Sequence, residues 1–288
     1  MTLDSDSIAR LPVHRVSPSK DAASEPIDDS LAVEEPLEIR LGHTGPTGFT
    51  TRSLAVTMRT PGADFDLAAG FLFTEGIVRS RDDIARIAHA GPSRGRNHTR
   101  NIVRVDLQPG VAIDLERLRR NFTVSSSCGV CGKASIEALA IRGCAALPAG
   151  SPRIRPEVLA ALPERLRAAQ PVFHQTGGLH AAGLFSSTGV LLAVREDVGR
   201  HNALDKLIGA KLLDGELPLP DSVLVLSGRI GFELVQKALI ARIPIVAAVG
   251  APTSLAVELA REFEMTLAGF MRPGGFNLYS APQRIMNP

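Results

Sequence analysis

The sequence predicts an α/β protein, because from about residue 180 short apolar runs alternate with stretches of helical period, as strands do with crossover helices. Two further observations fill in the class. Between residues 36 and 107 short strands surround one apolar helix, which points to a smaller N-terminal α+β subdomain. A chain of 288 residues with 44% hydrophobic residues can bury a core large enough for both parts.

Taken in order, residues 1 to about 32 are rich in Ser, Asp, Glu and Pro, a composition expected to leave a disordered tail. Residues 37–41 and 53–58 read as strands. Residues 64–73 read as a helix with Asp64 as its N-cap and Gly76 just past its end. A polar, Gly-containing loop at 94–100 precedes a strand at 101–107, and the basic residues at 117–120 read as a solvated helix face. Residues 133–142 read as a helix. A proline-flanked helix within 151–171 looks like a connector. Strands at 180–186 and 190–195 meet at Thr188-Gly189, a short hairpin signal. Then follow a helix at 200–213, with Asp205 and Lys206 expected as surface charges, a strand at 222–226, a helix at 232–242, a strand at 245–249, a helix at 254–263 and a strand at 266–271. The implied organisation is a tail over 1–32, a subdomain over 33–122 and a sheet domain over 123–288.

Composition excludes several functions. A net charge of +2 argues against an extended nucleic-acid surface, and the absence of Trp with only one Tyr argues against stacking platforms for single strands. The first residues resemble neither a secretory signal nor an anchor, and no apolar run is long enough to span a bilayer. With three cysteines, an odd number, the expected setting is a reducing cytoplasm.

Two of those cysteines carry the strongest signal, in the run Ser125-Ser126-Ser127-Cys128-Gly129-Val130-Cys131-Gly132-Lys133. The Cys-x-x-Cys spacing, the cation at Lys133 and the positive end of a following helix all favour the thiolate, so Cys128 and Cys131 are expected to be reactive thiols on a flexible loop. Half of a zinc site is the alternative, but no second Cys-x-x-Cys and no His-x-x-x-His follows to complete it. Cys144, in an apolar stretch, is expected to be buried and inert.

Four loops gather Gly, Arg, His and Asp at the ends of the predicted strands. They are Gly177-Gly178-Leu179-His180, the segment from Glu196 and Asp197 through Gly199, Arg200, His201 and Asn202, then Ser227-Gly228-Arg229, and Phe270-Met271-Arg272-Pro273-Gly274-Gly275. In open α/β sheets ligands bind beyond the strands' carboxyl ends. Glycine permits close backbone approach and arginine grips phosphate with two parallel hydrogen bonds, so the set suits a phosphorylated molecule. His180 and His201 fit either a hydrogen-bonded structural role or a ligand or proton-transfer role. Arg200 fits a ligand contact, a capping role or a pair with Asp197. Sharper motifs are missing: no Gly-x-Gly-x-x-Gly follows a strand, Ser127 and Ala134 break the phosphate-loop pattern around Gly132-Lys133, no His is followed two positions on by Glu as in zinc deaminases, and the cysteine pair lies too far along the chain for a thioredoxin.

Together, Ser126 to Lys133, Arg59-Thr60-Pro61-Gly62 with Gly70 to Gly76, and Glu196-Asp197-Val198-Gly199-Arg200-His201-Asn202-Ala203-Leu204-Asp205-Lys206 resemble the formate dehydrogenase accessory sulfurtransferase family, FdhD. Ser227-Gly228-Arg229 and Gly269-Phe270-Met271-Arg272 extend the likeness, which runs in order from about residue 36 to 280. The resemblance implies a cytoplasmic homodimer with a cytidine deaminase-like C-terminal domain, a three-layer sheet with helices. It implies a sulfur carrier that takes sulfane sulfur from a cysteine desulfurase to the molybdenum bis(guanine dinucleotide) cofactor before that cofactor enters formate dehydrogenase, with no tightly held metal of its own. Cys128 would then carry the persulfide, with Cys131 as partner or second carrier. The cofactor would lie against Phe270, Met271, Arg272, Pro273, Gly274 and Gly275, the segment the resemblance places in contact with it, and the Gly178, His180, Arg200, His201, Ser227 and Arg229 loops would hold its phosphates. A second reading makes the chain a non-catalytic cofactor chaperone whose cysteines form a redox- or zinc-dependent switch. The tail and Cys144 belong to no motif of the family.

Overall fold

A computed structural model of the chain describes residues 5–16, 26–45, 48–92, 100–111, 113 and 144–287. Its larger sheet has six strands, β7 (His180–Ser186), β8 (Leu191–Asp197), β9 (Ser222–Leu226), β10 (Ile245–Ala248), β11 (Thr266–Arg272) and β12 (Gly275–Ser280), in the order β12-β11-β10-β9-β7-β8. The central β9, β10 and β11 are parallel, since a helix returns the chain across the sheet between each pair: α5 (Phe232–Ile240), then α6 (Ser254–Glu262). Both flanks are antiparallel, because short turns join β7 to β8 and β11 to β12. Gly189, at φ 84°, supplies the left-handed residue in the first of these turns.

Successive strand residues point to opposite faces, and the apolar residues divide accordingly. Phe185, Val223, Val225, Ile245 and Ala247 pack beneath Leu159, Leu162 and Leu166 of α2 (Pro156–Ala168). Leu184, Leu224, Leu226 and Val246 face the other way, toward α4 (Arg200–Leu213), α5 and α6. The result is a three-layer architecture, α/β as the alternation predicts and with helices on both faces of the sheet as the family resemblance implies.

A second sheet holds β3 (Glu35–Gly45), β4 (Gly48–Arg59), β5 (Ile84–His89) and β6 (Ile102–Leu107) in the order β4-β3-β6-β5. Leu37, Ile39, Leu41, Val103 and Val105 bury one face against α1 (Asp64–Thr74), and α1 packs on α4, so a single apolar cluster runs through both sheets.

Three expectations are corrected. The first is the tail, where β1 (Ile8–Val13) pairs antiparallel with β2 (Ile27–Ala32), and Ser7 Oγ donates to Pro61 O at 2.8 Å. Averaging composition over 32 residues hid two six-residue segments able to share a backbone ladder and dock beside α3 (Pro171–Thr176). The second is Asp64, which is not the N-cap of α1: Ala63 holds that place at φ 54° without a side-chain cap, and the Asp64 carboxylate pairs with Arg59 through two bonds of 2.9 Å. Gly76 does follow the helix, at φ 74°.

The third is that Asp205 and Lys206 are not surface charges but 3% and 2% exposed. Lys237 Nζ lies 2.9 Å from both Asp205 carboxylate oxygens and donates to Thr74 Oγ1 at 2.8 Å, tying α5, α4 and α1 together. Removing one partner of a buried pair strands the other charge. Lys237→Met is therefore expected to lower the unfolding free energy by about 3–5 kcal/mol in urea titration, and a change below about 1 kcal/mol would show that water compensates Asp205.

Candidate functional site at the sheet edge

Because β7 runs antiparallel to β9, its first residue falls at the same sheet edge as the ends of β8, β9, β10 and β11. His180 stands opposite Asp197, the last residue of β8. Ser227 locks the next loop in place: its N–H donates to Ala181 O at 3.0 Å, and its Oγ accepts from Ala181 N at 2.8 Å. Gly250 N donates to Gly228 O, and Phe270 N donates to Gly250 O, each at 3.1 Å. The loops after β9 and β10 are thus joined by backbone bonds to the outer part of β11.

Gly250 has to be glycine, since a Cβ there would come within 2.9 Å of both Arg229 N and Gly228 O. Phe270 interrupts the β11–β12 register at φ 53°, a left-handed conformation uncommon for a bulky residue, and its side chain is 46% exposed. Arg272 pairs with Gly275, and Pro273 with Gly274 (φ 89°) forms the turn between them, so the expected loop is the tip of a hairpin. Met271 differs from its exposed neighbours Phe270 and Arg272. Its side chain is 4% exposed and packs in the cluster beneath α2, leaving only its backbone for the site. Gly178 borders Ala32 of β2, where an added Cβ would meet the Ala32 Cβ at 3.4 Å.

The two acids that end β8 support different neighbours. Glu196 accepts from Val172 N at 3.1 Å and Phe173 N at 2.8 Å, capping α3, whose C-terminal Gly177 leads into the Gly178 and His180 loop. Burial pushes its carboxyl above the ordinary range, against the pull of those two N–H groups. Asp197, 0% exposed, pairs with Lys206 Nζ at 2.7 Å and braces the first turn of α4, which carries Arg200 and His201. Arg200 therefore does not pair with Asp197, and its Nε is buried without a hydrogen-bond partner among the described residues. Arg229 and Arg272 are exposed.

His201 Nε2 lies 3.2 Å from Glu233 Oε2, a contact between the first turns of α4 and α5. Burial lowers the pKa of His201; Arg200 and Lys237 add to the shift, while Glu233 and Asp205 oppose it. His180 is lowered too, by burial first and then by Arg200, with Asp197 opposing. Burial thus favours the neutral form of both imidazoles.

A histidine whose folded pKa lies below its unfolded value takes up a proton more readily when unfolded, so its contribution is lost as pH falls. The melting temperature is expected to drop from about pH 7.5 to about pH 5.5, and His201→Gln to flatten that slope; a variant with the parent's slope would assign it to other groups.

Cys128 and Cys131 lie outside the described residues, as does the helix expected at 133–142. Cys144 is half-buried at the rim of the larger core rather than within it. Sequence reasoning missed Glu233, Gly250 and the buried Asp197–Lys206 pair. Of these only Gly250 carried a signal, as a glycine in the loop that leaves a parallel strand.

A three-layer α/β frame whose glycine- and arginine-bearing loops meet at the carboxyl ends of parallel strands places the chain among the open-sheet α/β proteins. More narrowly, the chain belongs to the FdhD/NarQ family, which matches residues 32–286. It is 50% identical over 268 residues to the sulfur carrier protein FdhD of Streptomyces avermitilis and 51% identical over 270 residues to that of Streptomyces coelicolor, covering 92% of each chain in both cases. A crystal structure of a candidate formate dehydrogenase accessory protein from Desulfotalea psychrophila superposes with a TM-score of 0.70 at 24% identity over 97% of this chain and 99% of that one, which shows the shared fold.

Proposed function

We propose that the chain is a sulfurtransferase that carries sulfane sulfur as a persulfide on Cys128 from a cysteine desulfurase to the molybdenum bis(guanine dinucleotide) cofactor, in support of formate dehydrogenase. On this reading the cofactor is a substrate, and the protein works as a homodimer in the cytoplasm. The observation that carries the reading is the meeting of the His180, Arg200, Ser227 and Phe270 loops at one sheet edge, where Arg200 Nε is buried without a partner among the described residues. Relatives at half identity that are named sulfur carriers support the sulfur chemistry.

The Cys128 thiolate attacks the terminal sulfur of the desulfurase persulfide. A new S–S bond forms at Cys128 as the donor's S–S bond breaks, and the donor cysteine leaves as a thiolate, so no outside oxidant is needed. For delivery, the Cys131 thiolate attacks Cys128 Sγ, closing a Cys128–Cys131 disulfide and releasing hydrosulfide to the cofactor. A cellular thiol reductant then restores the dithiol.

Phosphate recognition at the arginines is tested with GDP. Millimolar GDP is expected to raise the melting temperature by mass action, and Arg272→Ala to reduce the rise by removing a bidentate partner. No shift in the parent protein would contradict a phosphate site at this edge.

A further inference from the structure

Asp197 makes four contacts at 0% exposure. Its Oδ1 accepts from Gly199 N at 2.8 Å and Asn202 Nδ2 at 3.1 Å, and its Oδ2 accepts from Thr60 N at 3.2 Å and lies 2.7 Å from Lys206 Nζ. Lys206, 2% exposed, also donates to Thr60 O at 2.8 Å. Asn202 carries the tie into the other sheet, donating to Met58 O at 2.7 Å and accepting from Thr57 Oγ1 at 3.2 Å, while Val198 N donates to Thr60 Oγ1 at 3.3 Å. The turn at Val198 and Gly199 is thereby fastened to the end of β4, and Arg200 is the next residue.

A buried ion pair is a costly way to gain stability, because desolvation offsets much of the attraction and an apolar pair of similar volume often does as well. An apolar pair cannot accept the Gly199 N–H. Arg200 immediately follows that fastened turn, its Nε is buried without a hydrogen-bond partner among the described residues, and its charge lowers the pKa of both His180 and His201. We propose that Asp197, neutralised by Lys206, is a positioning residue of the site: through the turn at Val198 and Gly199 it holds Arg200 and His201 in the arrangement that binds the nucleotide phosphates. The proposal rests on the phosphate reading above.

The test compares two double variants of the full chain in which the buried charge is absent. Asp197→Asn with Lys206→Met keeps an oxygen for the Gly199 N–H, whereas Asp197→Leu with Lys206→Met does not. Melting temperature without ligand reports folding, and titration with GDP reports the site. Both variants are expected to fold, the Asn form binding GDP within about threefold of the parent and the Leu form at least about tenfold more weakly. Equal binding by the two folded variants would overturn the positioning role and leave the phosphate site standing. A parent protein blind to GDP would overturn the phosphate reading and this proposal with it. Should the Leu form fail to fold, Thr60→Val removes only the acceptor of Val198 N–H at nearly constant volume. It is expected to weaken GDP binding about threefold, and parental affinity in that folded variant would overturn the proposal.

Discussion

Gly209→Ala is expected to destabilise the protein by about 3 kcal/mol or more, a large fraction of the roughly 5–15 kcal/mol that holds a typical native fold. The crossing of α1 and α4 has no room for a methyl group. A Cβ at Gly209 would sit 1.8 Å from the carbonyl oxygen of Asp66 and 2.6 Å from Gly70 N, and one at Gly70 would sit 1.9 Å from Asp205 O. These are backbone atoms within packed helices, so relief requires the helices to separate rather than a side chain to swing aside. Separation would also pull apart the Thr74, Asp205 and Lys237 contacts and tilt the helix whose first turn carries Arg200 and His201. Gly231→Ala serves as a control, since a Cβ there meets nothing within 4 Å, and it is expected to change stability by less than about 1 kcal/mol. Urea titration of both variants distinguishes a tight crossing from a loose one; equal midpoints would contradict the packing described.

Cys128→Ala is expected to abolish formation of active formate dehydrogenase in a strain that depends on this chain, while the variant still purifies as a folded protein that binds GDP. The substitution removes the atom assigned to receive the sulfane sulfur and leaves the sheet-edge loops unaltered. Cys131→Ala should separate the two halves of the reaction. Sulfur still loads onto Cys128, but release as hydrosulfide loses the thiolate that drives it, so client activity falls while the persulfide accumulates. Normal client activity with Cys128→Ala would remove that residue from the mechanism.

The alternation of strands and helices from β7 onward was legible because each parallel strand is an apolar run of four to seven residues, and each crossover is a helix with its own buried stripe. The loops at the sheet edge were legible for the same reason, since topology alone brings the ends of parallel strands to one side. What escaped was set by partners distant in sequence. Asp205 and Lys206 sit on α4, which is buried along nearly its whole length, so charges that helical period assigns to solvent are paired inside with Lys237 and Asp197. Asp64 looked like a cap because acids favour helix starts, but Arg59, five residues earlier, takes the carboxylate first. Met271 lies in sequence among the residues expected to touch the cofactor, yet the strand's alternation turns its side chain into the core while Phe270 is left exposed. The pairing of β1 with β2 depends on a ladder between segments more than a dozen residues apart, which composition does not encode.

Whether sulfur rides on Cys128 can be read by mass spectrometry of the intact protein after incubation with a cysteine desulfurase and cysteine. In Cys131→Ala, where release from Cys128 is blocked, the expected result is a mass increase of one sulfur atom, mapped to Cys128, lost on treatment with a thiol reductant and absent when Cys128→Ala is added. A Cys131→Ala chain that remains at its unmodified mass while the desulfurase itself is fully loaded would contradict sulfur carriage on Cys128.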